Sequence, residues 1–147
     1  MCIRDRPRER LILGVGCVGA ADGMLDLTVD YVMERQAFGQ SVSKFQNTRY
    51  RLAEIKTEIE LNRAMAEKYI RRYISGDLTT EEASMCKLAA SEMQGRVADE
   101  CVQLFGGYGY MSEYRISRMY LDSRVQRIYG GTSEIMKELI SRSLVGR

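Results

Sequence analysis

The sequence predicts an all-α protein folded as an antiparallel helical bundle. Three observations predict it. Apolar residues recur every three or four positions through three long stretches and a shorter final one, glycine or Ser-Gly punctuation separates the stretches, and no segment alternates apolar with polar residues as a half-buried strand does. The 147 residues, 45% hydrophobic and 29% charged, suffice for one domain with its own core. No internal repeat or low-complexity segment divides them.

The opening "MCIRDR" is charged and without apolar rhythm. Residues 1–6 are read as a foreign or disordered leader, and residues 7–147 as the bundle, a fragment of a longer protein. From Glu9 a helical pattern runs through Leu11, Val15, Val18, Leu25, Val29 and Val32 until "RQAFG" breaks it. Gly14, Gly16, Gly19 and Gly23 would each cost about 1 kcal/mol relative to alanine in a helix interior. Their backbone calls for a close neighbour, either a tightly packed helix or a ligand. A second helix is predicted from Asn47 to Tyr73, with Leu52, Ile55, Ile59, Ala66, Tyr69 or Ile70, and Tyr73 inward. Ser75-Gly76 ends it. Thr79, with Glu82 three residues on, has the form of a capping box and opens a third helix. Its stripe is Cys86, Ala89 or Ala90, Met93, Val97, Cys101 and Leu104, stopped by "FGGYGY". A short helical piece over 112–121 and a last helix from Ser133, with Thr132 as its N-cap, complete the bundle.

Composition excludes several functions. The chain has no histidine, which removes Ser-His and Cys-His nucleophile pairs and imidazole metal sites. A general base must be a carboxylate, Lys, Tyr or Cys, and no metal site is expected. Lys+Arg 22 against Asp+Glu 20 leaves a net charge of +2 with no long basic run, so no nucleic-acid partner is expected. Cys2, Cys17, Cys86 and Cys101 form no CxxC pair and are read as reduced and structural. No apolar run is seen to approach the roughly 20 residues of a membrane span, and no signal peptide is evident.

Four stretches bear on chemistry. "GVGCVG", Gly14 to Gly19, matches the dinucleotide pattern GxGxxG, but no βαβ unit surrounds it, so it is read as helix. In "ERQAFGQSVSKFQ", Arg35 could grip a phosphate with its planar fork, Phe38 could wall a ring and Gln46 could hydrogen-bond a polar group. Alternatively Arg35 caps the helix end. In "QLFGGYGY", Gln103 to Tyr110, three glycines either expose bare backbone N–H groups to a ligand or simply turn the chain. At Thr132 and Ser133, a helix start suits an anion or a polar ring edge, or is a plain N-cap.

Taken in order, "RQAFGQSVSKFQ", "QLFGGYG" and "DSRVQRIYGGTSEI" resemble the C-terminal domain of the acyl-CoA dehydrogenase family, from Pro7 to the end of the chain. The resemblance implies a full-length enzyme with an N-terminal helical domain, a middle β-barrel domain and this bundle, binding FAD at their junction. It implies oxidation of the Cα–Cβ bond of an acyl-CoA thioester to the trans-2-enoyl-CoA, with electron-transferring flavoprotein reoxidising the cofactor. A thioester α-proton is only weakly acidic, so carbonyl polarisation and a desolvated base must act together. Many members carry that base as Glu in Tyr-Glu-Gly-Thr, where this chain has Gly130. In the long-chain and isovaleryl branches it stands instead at the start of the first long helix, before an arginine, which is Glu9-Arg10 here. The resemblance therefore implies Glu9 as the catalytic base, with Gly130 leaving the space it needs. Arg10 would hold Glu9 or the substrate, and Gly130 and Gly131 would lie at the thioester.

The same resemblance makes Arg35, Phe38, Phe45, Gln46 and Gln103, Leu104, Phe105, Gly106, Gly107 contacts to FAD. The Arg35 and Gln103 segments would reach the adenosine diphosphate of a neighbouring subunit, while Thr132, Ser133 and Glu134 would contact FAD in their own. Binding across subunits implies a homodimer or homotetramer, in a bacterial cytoplasm or the mitochondrial matrix. "IYGGTSEIMKELI" looks more like the long-chain branch than the isovaleryl branch. Without the β domain the chain alone is expected to be inactive. Two other readings predict different structures: a DNA-associated flavoprotein of the same fold should show a basic surface, and a plain interaction bundle should leave the glycine motifs unconnected.

Overall fold

A computed structural model describes residues 7–146. The expected leader lies outside the described residues, as does Cys2. Helix α1 spans Pro7–Glu34, α2 Gln46–Ile74, α3 Thr80–Phe105, α4 Arg115–Val125 and α5 Ser133–Val145. The all-α expectation holds. Helix α3 is central: it packs along α1 and also touches α2, α4 and α5.

The buried face of α1 differs from the expected stripe. Leu11, Gly14, Cys17, Ala21, Met24, Thr28 and Val32 point inward, whereas Val15 is 37% exposed. Small residues hold this face because α3 comes close. A Cβ on Gly14 would stand 2.6 Å from Cys86 Sγ and 3.2 Å from the Cys86 carbonyl carbon and oxygen. The close neighbour at Gly14 is thus a helix, while Gly16 and Gly19 face open space. The GxGxxG pattern lies wholly inside this helix. By length and mean hydropathy α1 also reaches the range of a membrane span, contrary to the expectation that no run approaches it. Counting strictly uncharged runs overlooked that its few charges are widely spaced. Its inward side chains join those of α2, α3 and α4 in the core.

In α2, Ile55, Ile59, Ala66 and Tyr69 are buried as expected. Tyr73 is not: it is 44% exposed, having reached the end of the bundle beside Pro7, Arg8, Gly76 and Leu78. The capping box forms, with the Glu82 N–H donating to Thr79 Oγ1 (3.1 Å) and the Thr79 N–H to Glu82 Oε2 (3.0 Å). The α3 stripe resolves onto Ala90, with Leu104 only half-buried.

Two local elements depart from the sequence reading. Gln36–Ala37 (β1) pairs antiparallel with Gln40–Ser41 (β2), with Gln36 opposite Ser41. Two residues per strand are too few to show alternation. Phe38 (φ 51°) and Gly39 (φ 78°) form its tip, the paired positive φ angles that a tight hairpin needs. The fourth helix begins at Arg115 rather than 112, because Gly106–Tyr110 winds as a 3-10 turn and a further turn follows before Tyr114 caps α4.

Candidate functional site

Two of the sequence motifs meet in one groove. Arg35, at the end of α1, and residues Gln103 to Tyr108, at the end of α3, line a hollow of about 540 Å³ together with Tyr31, Val42 and Met111. The rings of Tyr31 and Phe105 stack at 4.0 Å, and the Tyr31 hydroxyl donates to the Phe105 carbonyl at 3.2 Å. These contacts fasten α1 to α3 at this end. The Phe105 ring is 7% exposed and belongs to the core, so only its backbone is offered to the groove.

The cap for α1, one of the two roles read for Arg35, comes instead from Ser41, whose hydroxyl lies 2.8 Å from the Val32 carbonyl and 3.0 Å from that of Met33. The Arg35 guanidinium lies over the Tyr108 ring, 5.3 Å from its centroid. Gly106 has φ +63°, and a Cβ on Gly106 or Gly107 would meet nothing within 4 Å. Bare backbone and a planar cation therefore share one concave surface, a combination that suits a diphosphate. Gly109 differs, since its Cβ would collide with the Val102 carbonyl oxygen at 2.6 Å. The glycine motif thus divides into an open part and a packed part.

Phe38, Phe45 and Gln46 are not part of the lining of this groove. The Phe38 and Phe45 rings meet edge to face at 6.2 Å. Phe38 is 95% exposed on a left-handed backbone, and the Gln46 amide donates to the Tyr50 hydroxyl.

The second group of residues surrounds the turn before α5. Thr132 is its N-cap, accepting from the Ile135 N–H at 3.4 Å. Hydrogen bonds from its own backbone N–H and from Thr132 hold the Glu134 carboxyl below its ordinary range. Ser133 faces inward, its hydroxyl donating to Glu92 Oε1 at 2.7 Å. Gly130 (φ +67°) and Gly131 (φ +109°) shape the turn. A Cβ on Gly131 would meet Met136 Cε at 2.6 Å, and one on Gly130 would collide with Leu13 Cδ1.

That last contact corrects one expectation. The space over Gly130 is filled by Leu13 and not left for a carboxylate. Leu13 lies four residues after Glu9, so both share one face of α1 about one turn apart, roughly 5–6 Å between Cβ atoms. Gly130 thus admits the leading part of α1 against the turn. Glu9 is exposed in this domain, whereas Arg10 is 4% exposed and directed inward.

Sequence reasoning missed Lys87 and Glu92. Lys87 is fully buried, and its Nζ donates to the Gly131 carbonyl at 2.6 Å. Burial pushes its pKa down from 10.5. A lysine in register with buried Ala83, Ala90 and Gln94 was the available signal, masked by reading the stripe only for apolar residues. Arg127 donates to Glu92 Oε2 at 3.3 Å and lies over Gly95, where a Cβ would come within 2.9 Å of Nη2.

Residues 7–145 match the family described as acyl-CoA dehydrogenase, C-terminal domain. The chain belongs to the acyl-CoA dehydrogenase family. It is 47% identical over 143 residues to the mitochondrial long-chain specific acyl-CoA dehydrogenase of Sus scrofa, covering 97% of this chain and 33% of that protein. An acyl-CoA dehydrogenase from Geobacillus kaustophilus superposes with a TM-score of 0.92 at 46% identity, over 95% of this chain and 37% of the other. A glutaryl-CoA dehydrogenase from Mycobacterium smegmatis, in complex with FADH2, superposes with a TM-score of 0.90 at 29% identity, over 94% of this chain and 36% of the other. The chain spans about a third of the length of these relatives. Within the acyl-CoA dehydrogenase family, the junction of two motifs in one groove argues against a bundle whose glycine motifs are unconnected.

Proposed function

We propose that this chain is the C-terminal part of an FAD-dependent acyl-CoA dehydrogenase in which Glu9 removes the substrate α-proton. The observation that carries this reading is the contact of Leu13 with Gly130: it sets the first turns of α1 against the turn where many family members bear their glutamate. A base carried by α1 can then serve the same substrate carbon from a different backbone point. Gly130 and Gly131, which let Leu13 and Met136 pack against the turn, would present bare backbone to the thioester.

FAD, when bound, supplies the acceptor for the β-hydride. The groove of Arg35 and Gln103 to Gly107 would hold its diphosphate, with the Arg35 guanidinium supplying charge and the open glycine backbone permitting close approach. Phe38 stands on the adjacent hairpin tip, fully presented on a strained backbone of the kind found at ligand contacts. With Phe45 and Gln46 it walls the cofactor held by a neighbouring subunit. Thr132 and Glu134 meet the cofactor of their own subunit, and Arg10 steadies the segment that carries Glu9. The assembly is a homodimer or homotetramer, and electron-transferring flavoprotein is its electron acceptor.

The test is Glu9→Gln in the full-length enzyme. Turnover of acyl-CoA should fall by about 10³-fold or more, since a positioned base is lost, while FAD content and visible spectrum stay unchanged. Retention of wild-type turnover rejects Glu9 as the base.

A further inference from the structure

Lys87 has no part in the proton abstraction just described, yet it is the largest fully buried side chain among the described residues. Withdrawing an ammonium from water is costly, and an apolar residue of similar volume would ordinarily stabilise the site as well or better. Its presence calls for a task that an apolar side chain cannot perform. Among the described residues, the acceptor at hydrogen-bond distance is the Gly131 carbonyl, at 2.6 Å.

The turn it touches has little shape of its own. Gly130 and Gly131 both hold positive φ, and glycine backbone is free to leave such a conformation. External ties set it. Glu92 accepts from the Ser133 hydroxyl on one side and from Arg127 on the other, and the Ser133 N–H closes back onto the Arg127 carbonyl at 3.2 Å. Lys87 adds the tie at the middle of the turn. Lys87 and Glu92, both on α3, thus hold the centre of the turn and its two ends, and the Ser133–Arg127 backbone bond closes it.

The peptide following Gly131 is trans, so its carbonyl and the Thr132 N–H point in opposite directions. A carbonyl aimed inward at Lys87 therefore sends that N–H outward, and an ammonium on the oxygen polarises the peptide and strengthens its donor end. We propose that Lys87 is a positioning residue that fixes the Gly130–Gly131 turn and directs the Thr132 N–H outward as a donor to an oxygen of the bound flavin nucleotide or acyl thioester. The anchoring stands on geometry alone, while the identity of the acceptor rests on the acyl-CoA dehydrogenase reading. The charged and titratable groups around Lys87 are Arg10 and Cys17 from α1, Glu92 from its own helix and Glu134 from α5.

The experiment compares wild type with Lys87→Met in the full-length enzyme, measuring hydrogen exchange of residues 128–133, the flavin absorption spectrum, and kcat and KM separately. The expected result is exchange about tenfold faster in 128–133 with α3 unchanged, as for loss of one charged hydrogen bond. A shifted flavin band and a kcat lowered roughly tenfold to a hundredfold should accompany it. Wild-type exchange and kcat in Lys87→Met overturn the proposal, as does faster exchange spread along α3, which marks a merely structural role. If Lys87→Met does not fold, Lys87→Gln, which keeps an N–H donor, takes its place. Failure of both to fold also overturns it. Faster exchange confined to the turn, in an enzyme whose wild type does not oxidise acyl-CoA, would leave the anchoring intact and remove the dehydrogenase reading instead.

Discussion

Gly130→Ala isolates the contact between the turn and α1. Two separate costs are expected from the structure. The backbone at φ +67° is left-handed, which a side chain tolerates at about 1–2 kcal/mol. The added Cβ also collides with Leu13 Cδ1, and a forced shift of a packed side chain costs about 1–3 kcal/mol. Leu13 is half-buried and its collision is with a side-chain end, so the lower part of that range applies. The sum is about 2–3 kcal/mol. Urea unfolding followed by far-ultraviolet circular dichroism should show a midpoint lowered by about 1–2 M at an unchanged slope. The double variant Gly130→Ala with Leu13→Ala separates the two costs: the steric part disappears against Leu13→Ala alone, and only the backbone part remains. A midpoint equal to that of wild type, or a penalty independent of residue 13, would refute the contact.

The same collision predicts that placing the glutamate at its commoner family position does not by itself rescue the Glu9→Gln enzyme. Glu9→Gln with Gly130→Glu should stay inactive, whereas adding Leu13→Ala should restore measurable turnover in a direct acyl-CoA oxidation assay. Arg35→Ala should weaken FAD retention by about tenfold or more, the loss of a charged phosphate contact, read by flavin release on dilution; unchanged retention removes Arg35 from the site. Alkaline pH should unfold the chain through its buried thiols, since burial raises Cys17 from 9.0 to about 12 and Cys86 and Cys101 each from 9.0 to about 11. Their protonated forms are favoured only in the fold, so this stability is complete below pH 9.0 and is lost as pH rises through those folded values. The unfolded chain has shed most of these protons by pH 10, while the fold still holds them until Cys86 and Cys101 begin to ionise in place, so the slope is roughly −3 kcal/mol per pH unit between pH 10 and 11. Lys87, whose pKa is lowered from 10.5 by burial, opposes this, because its penalty is relieved as pH rises towards 10.5. Urea titrations at pH 8 and 10.5 measure the balance, and Cys86→Ala should flatten it; a pH-independent midpoint contradicts the burial of these thiols.

Helices and caps were legible because their signals are local. The Thr79–Glu82 box, Thr132 at the head of α5 and the stripe through Ile55 and Ile59 each declare themselves within a turn or two of chain. What escaped was set by packing between elements. The inward face of α1 rotated onto Gly14 and Cys17 because α3 is close, which no periodicity within α1 reveals. Lys87 was passed over because its acceptor is 44 residues away in sequence. Gly130 was recognisable as a missing side chain, but its filling by Leu13 depends on how α1 docks. The motifs themselves left Arg35 and the Gln103 segment open between ligand contact and chain turning, and only the family resemblance put them at one ligand; Ser41 as the helix cap was not foreseen, since it returns through a hairpin too short to show in the pattern.

The central claim is that the carboxylate on the first turn of α1 reaches the substrate carbon. A crystal structure of the full-length enzyme with FAD and a bound acyl-CoA measures this directly. The Glu9 carboxylate should stand about 3–3.5 Å from the thioester α-carbon, with Leu13 seated on Gly130. A Glu9 side chain turned to solvent, with another carboxylate at that carbon, would contradict the account.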